Sequence, residues 1–177
     1  MNGESDMSFP EAVKGLMAGD FSRLEPLFWP SAPGSPSPII KWFDDGLFAN
    51  EPKALAEAFT CACFNGCTHV AEHFLAGGVD PQGGNNTGLN AFHWAANRGQ
   101  LKAVELLIRT RAPLETLNAY GGTVLGCAVW SAVHEPKPDH LQIIEALLNA
   151  GAQVGAADYP SGDERVDEVL RHHGAGR

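Results

Sequence analysis

The densest run of side chains able to do chemistry is Cys61-x-Cys63-x3-Cys67-x-His69-x3-His73. Thiolate and imidazole are the ligands zinc prefers, so this spacing raises a metal site as the first chemical reading. Three of the four cysteines fall within seven positions, with Cys127 apart from them. Such crowding suits reduced thiols better than a disulfide framework. His93, in Phe92-His93-Trp94, is the other side chain suited to proton transfer. No Ser/His/Asp or Cys/His set can be singled out, and carboxylates are scattered rather than paired. The expectation is therefore a protein without catalytic residues and without a cofactor.

Composition limits what could hold these groups. The chain has 177 residues, 44% apolar and 19% charged, which suits one compact folded domain rather than a disordered segment. Twelve basic against 21 acidic residues give a net charge of −9, so binding to nucleic acid phosphates or anionic lipid would work against the mean field. The opening Met1-Asn-Gly-Glu-Ser-Asp-Met-Ser8 has neither a basic nor an apolar leader region. No apolar run approaches the roughly 18 residues that span a bilayer. A cytoplasmic protein is expected, monomeric when free, with no nucleic acid or membrane partner.

Self-similarity supplies the elements. Asn90-Ala-Phe-His-Trp-Ala-Ala-Asn-Arg-Gly99 leads into Gln100-Leu-Lys-Ala-Val-Glu-Leu-Leu-Ile108 and then Arg111-Ala-Pro-Leu-Glu115. A shift of 33 residues carries Gly99 onto Gly66 without a gap, so that Cys67-Thr-His-Val-Ala-Glu-His-Phe-Leu75 overlies the second helix. Downstream, Ala112 corresponds to Ala152 after 40 residues, and His140-Leu-Gln-Ile-Ile-Glu-Ala-Leu-Leu-Asn-Ala-Gly-Ala152 repeats the pattern. The seven extra residues fall at 132–139, where Pro136 and Pro138 forbid a continuous helix and predict a projecting loop.

These segments resemble the ankyrin repeat, which opens Thr-Pro-Leu-His-x-Ala-Ala, passes a Gly, runs through an apolar helix and ends Gly-Ala-Asp. The resemblance implies an all-α ankyrin-repeat solenoid of stacked helix-turn-helix units with helical caps at both ends. Residues 1–50 are expected to form an N-terminal helical cap interrupted by a Pro/Ser-rich insertion at 29–38. Residues 51–177 are expected to hold repeats at about 52–84, 85–117 and 118–157, followed by a capping helix at 163–171. Each helical hairpin is too short to be stable alone and must bury its apolar face against neighbours. Ala95 and Ala96 align with Ala62 and Cys63, and with Ala128 and Val129, so small side chains recur where first helices pack. Asn90 and Thr123 stand where N-caps belong, and Gly66 and Gly99 where a left-handed residue ends a helix.

That register reinterprets the chemistry. Cys61 aligns with Trp94 and Cys127, Cys63 with Ala96, and His73 with Leu106, so these side chains are expected to point inward. A metal-binding protein using Cys61, Cys63, Cys67, His69 and His73 becomes the least favoured alternative, and no metal is expected. His93 takes the place of the motif's histidine, whose ring bridges to the backbone of the adjoining turn. Gly83-Gly84 and Gly121-Gly122 fall in turns between repeats, not in a phosphate loop after a strand.

What remains is surface. In this family, partner contacts come from the turns and the exposed end of each first helix. Aligned by register, those positions are Phe64, Asn65, Asn86, Thr87, Leu89, Asn97, Arg98, Tyr120, Trp130 and Ser131, with Lys53, Ala54, Ala56, Ala119 and Gly122 beside them. Trp, Tyr and Arg are the types enriched at binding hot spots. The resemblance thus implies a non-catalytic module that binds a protein partner through this face and the 132–139 insertion. An inhibitor or immunity-type protein that blocks a partner enzyme is the alternative within the same class.

Overall fold

The computed structural model describes residues 7–177, so the leaderless reading of the first residues lies outside it in part. Among the described residues every regular element is helical, and the chain divides into two compact units, residues 1–91 and 92–177.

In the first unit, α1 (Phe9–Ala18) opens with Ser8, whose N–H and hydroxyl both donate to the Glu11 carboxylate at 2.8 and 2.7 Å. Those bonds hold the Glu11 carboxyl below its ordinary range. Gly19 closes α1 at φ 77°, and α2 (Phe21–Leu24) runs on as a 3-10 turn over Glu25–Phe28. These two helices bury Leu16, Phe21, Leu24, Leu27 and Phe28. Residues 29–36 are exposed and non-helical, as their Pro/Ser content dictates.

The chain then forms an element with no counterpart in the repeat pattern, α3 (Pro38–Asp44), which packs on α5 (Thr68–Ala76). Phe43 lies 4.8 Å from the Phe74 ring and fits only because residue 77 is glycine. A β-carbon there would stand 2.6 Å from the Phe43 ring. α4 (Pro52–Phe64) follows, longer at its start than the first helices of the other repeats because Pro52 sits at its first turn.

The second unit begins inside α6 (Ala91–Asn97) and continues through α7 (Leu101–Arg109), α8 (Val124–His134), α9 (His140–Asn149) and α10 (Glu164–His172). α9 packs against α7, α8 and α10, burying Val104 and Leu107, Ile143, Ile144 and Leu147, and Val166 and Leu170. Thr123 caps α8 by accepting from the Gly126 N–H at 3.1 Å. Asp163 caps α10 through bonds from Arg165 and Val166. Gly66 and Gly99, with φ of 70° and 71°, reverse the chain after α4 and α6 as expected.

The insertion departs from expectation. Ala132, Val133 and His134 extend α8 by most of a turn, and only residues 135–139 form the loop. That loop folds back. Lys137 stands over Gly99, where a β-carbon would be 2.7 Å from the Lys137 side chain, and the Lys137 N–H donates to His140 Nδ1 at 2.9 Å. Its reach is therefore shorter than the two prolines suggested.

Candidate protein-binding surface

In the first unit the structure sorts the proposed contact residues by exposure. Phe64 is buried, its ring 5.5 Å from Phe21 in an edge contact. Leu89 and Ala54 are buried too, so none of the three can meet a partner, contrary to the register. The covering residue for Phe64 comes from α2, far away in sequence. Asn65 is half-buried and donates to the Phe21 carbonyl at 2.9 Å, which ties the end of α4 to the start of α2. Lys53 and Asn86 are exposed, and Thr87 and Ala56 are half-exposed. Thr87 donates to the Leu89 carbonyl at 3.3 Å and lies against Gly19.

The turn carrying Asn86 rests on a group that the sequence reading passed over. Glu57 aligns with Asn90 and Thr123, yet it lies within α4, 1% exposed. Its Oε1 accepts the Asn86 N–H at 2.8 Å, while Oε2 is buried without a hydrogen bond. Burial raises its pKa. Gly84 permits this placement, since a β-carbon there would collide with the carboxyl at 2.2 Å. Thr60, at the position of His93, accepts the Gly84 N–H at 2.9 Å. The signal for Glu57 was present: a carboxylate at a position that holds Asn or Thr in the other repeats.

The cysteine and histidine cluster disperses. Cys61, Cys63 and Cys67 are free thiols and fully buried, in agreement with inward packing. Burial pushes the Cys61 and Cys63 thiols well up, and Cys67 up to about 12. The histidines turn elsewhere. His69 Nε2 bonds the Phe28 carbonyl at 2.9 Å beneath Trp29, and His73 Nε2 meets Asp44 at 2.7 Å. His73 is thus partly exposed and paired, not inward as its alignment with Leu106 suggested. The α3 segment that supplies Asp44 is absent from the repeat pattern. Among the described residues no group of three or more His, Cys, Asp or Glu side chains is placed to hold a metal ion.

In the second unit, His93 is buried with Nε2 2.7 Å from the Thr116 carbonyl, the backbone bridge expected of it. Burial lowers its pKa. Asn97 donates to Ser131 at 2.8 Å, but Ser131 is completely buried and so removed from the contact set. Asn97 and Arg98 are half-buried.

The most exposed large side chains of this unit are Tyr120 at 83%, Leu117 at 62% and Trp130 at 48%, with Tyr159 next at 37%. Tyr120 and Trp130 sit on stiffened supports. Asn118 Oδ1 accepts the N–H groups of Tyr120 and Gly122, both at 2.9 Å, which fixes the turn. Trp130 stacks on His134 at 4.7 Å and 15°, and His134 Nδ1 bonds the Trp130 carbonyl at 2.8 Å. His134 is available for this only because α8 runs past the position where the repeat pattern would end it. Leu117 and His134 were missed by register. The first was signalled by its apolar type beside a turn; the second followed only from the helix extension.

Comparison with known proteins follows the same lines. A family described as ankyrin repeats (3 copies) matches residues 59–158, and the chain belongs to that family. Among solved structures, an ankyrin repeat domain from Acinetobacter baumannii AYE is similar in fold, with a TM-score of 0.60 at 21% identity. The similarity covers 92% of this chain and 97% of that one. No curated protein matches in sequence. No helix among the described residues is long and apolar enough to cross a membrane.

Proposed function

We propose that the chain is a non-catalytic binding module for a protein partner, and that Tyr120 and Trp130 are its principal anchors. The observation that carries this reading is the 83% and 48% exposure of two large aromatics, each held by a fixed turn or a ring stack. Rigid aromatic side chains lose little entropy on binding and dominate interface energies. Arg98, Asn97 and Leu117 in the same unit are proposed as flanking contacts, and Asn65, Asn86 and Thr87 as contacts made by the first unit. The repeats assigned to 52–84, 85–117 and 118–157 would present them. A family whose members generally bind proteins supports the class of partner.

The test begins with native pull-down of the partner and then measures its affinity for the purified variant Arg98→Ala, Tyr120→Ala, Trp130→Ala. Hot-spot truncations cost about 2 kcal/mol or more each, so binding should fall by orders of magnitude while melting changes little. Unchanged affinity in the folded triple variant would move the site away from these residues. Deleting residues 135–138 in the same assay measures what the loop adds.

A further inference from the structure

Helices in this chain end by one repeated device. The N–H of a left-handed residue and the N–H after it bond back to carbonyls of the last turn. Gly78 and Val79 do so to Leu75 and Phe74, Gly151 and Ala152 to Leu148 and Leu147, and Gly174 and Ala175 to Arg171 and Leu170. The same pair of bonds closes α7, from Arg111 to Ile108 and from Ala112 to Leu107, both at 3.0 Å. Yet the left-handed position there is an arginine, at φ 58°, the one non-glycine with positive φ among the described residues. The left-handed conformation is unfavourable for any residue with a β-carbon, and glycine serves at the other exits closed this way, which include Gly19, Gly66 and Gly99 as well.

Helix electrostatics do not account for this choice. A cation near a helix C-terminus is favourable, but Arg109 already stands in the last turn of α7 in ordinary helical geometry. What Arg111 adds is position. It lines a half-open surface hollow of about 290 Å³ together with Ile108, Ala112, Leu114 and Ala150. The other four lining side chains are apolar, no carboxylate is among them, and the Arg111 guanidinium makes no hydrogen bond or ion pair among the described residues. The adjacent acid, Glu115, is engaged by the Gln153 N–H at 2.9 Å. In a chain of net charge −9, an unopposed guanidinium over an apolar hollow is a local exception.

We propose that this hollow is a binding site for a small apolar monocarboxylate. The aliphatic or aromatic body would lie against Ile108, Leu114 and Ala150, and the carboxylate would take a two-pronged bond from Arg111. Guanidinium matches a carboxylate bidentately and keeps its charge at any physiological pH. The volume lies just below the roughly 300–1,000 Å³ usual for small-molecule pockets, which limits the ligand to a compact acid. The backbone strain at residue 111 is then retained for a function of the side chain, as strained residues at ligand sites often are. The site is separate from the aromatic anchors and stands or falls without them.

The experiment titrates the full chain with 4-methylpentanoate and with phenylacetate, following the Ile108 and Leu114 methyl signals by NMR. 4-Methylpentanamide is the uncharged control. Saturable shifts localised to these methyls are expected with at least one of the two acids, at least tenfold weaker with the amide. Arg111→Gly should weaken acid binding at least tenfold while melting no lower than the wild type, because the strain is relieved. Ala150→Leu should block binding by filling the hollow with the guanidinium in place. Absence of saturable binding by both acids would overturn the proposal. So would equal binding by the amide, or undiminished binding in folded Arg111→Gly.

Discussion

His140 shows how one buried ring fixes its own protonation. Its Nδ1 accepts from the Lys137 N–H, so the proton must reside on Nε2, which lies 3.1 Å from both the Ala96 and Asn97 carbonyls. A second proton on Nδ1 would face an N–H. Burial, the largest cause, lowers the pKa below the ordinary 6.5, and His93 is lowered in the same direction. The unfolded chain therefore takes up protons first, and stability present above about pH 6.5 is lost as the pH falls through the folded values. We expect the melting temperature to drop between pH 7 and 5, with a smaller drop in His140→Gln. Nitrogen chemical shifts should report the Nε2–H tautomer at pH 7. Glu57 carries the opposite sign. Its raised pKa means that ionisation opposes folding, a penalty absent below the ordinary 4.5 and complete above the folded value. Glu57→Gln should therefore gain on the wild type as the pH rises from 4 to 7, read from paired melting curves. His93 was legible from its place in a motif, whereas His140 and Glu57 owe their chemistry to turns packed over them.

At the scale of elements, register was a good guide wherever the period was intact. Gly66, Gly99 and Thr123 hold the turns and the cap assigned to them, and Ala95, Ala96 and Ala128 are wholly buried. Small side chains at these points let helices approach closely, and overpacking a filled interior forces backbone shifts. Ala96→Trp should consequently lower the melting temperature sharply or abolish folding, as circular dichroism during heating would reveal. A wild-type curve would contradict the close packing of α6. Register failed where segments outside the period cover the repeat. Phe64 is capped by Phe21, and His73 is drawn out by Asp44 of α3. Neither partner can be found by counting residues, because the chain between them has no fixed period. The helical continuation to His134 was hidden by the same logic, since the two prolines bound the loop from one side only.

Across the whole molecule the dominant property is charge. A net −9 over 177 residues sets up a negative field that speeds encounter with cationic partners and slows it with anionic ones. If the partner is basic, its association rate should fall steeply as salt is raised from about 20 to 300 mM, with a much weaker effect on dissociation. Stopped-flow mixing at several salt concentrations measures both. Composition disfavours unselective binding to anionic partners but gave no direction on the protein surface, because side-chain charge counts carry no geometry. One feature of the first unit also makes the chain tractable. Residues 29–36 are exposed throughout, while Phe28 before them and Ser37 and Ile39 after them are buried. Both ends of this bend are anchored independently of its middle, the situation in which insertions are best tolerated. A peptide epitope or fluorophore-binding tag spliced between Gly34 and Ser35 should leave the melting temperature unchanged, giving a reporter position remote in sequence from Tyr120 and Trp130.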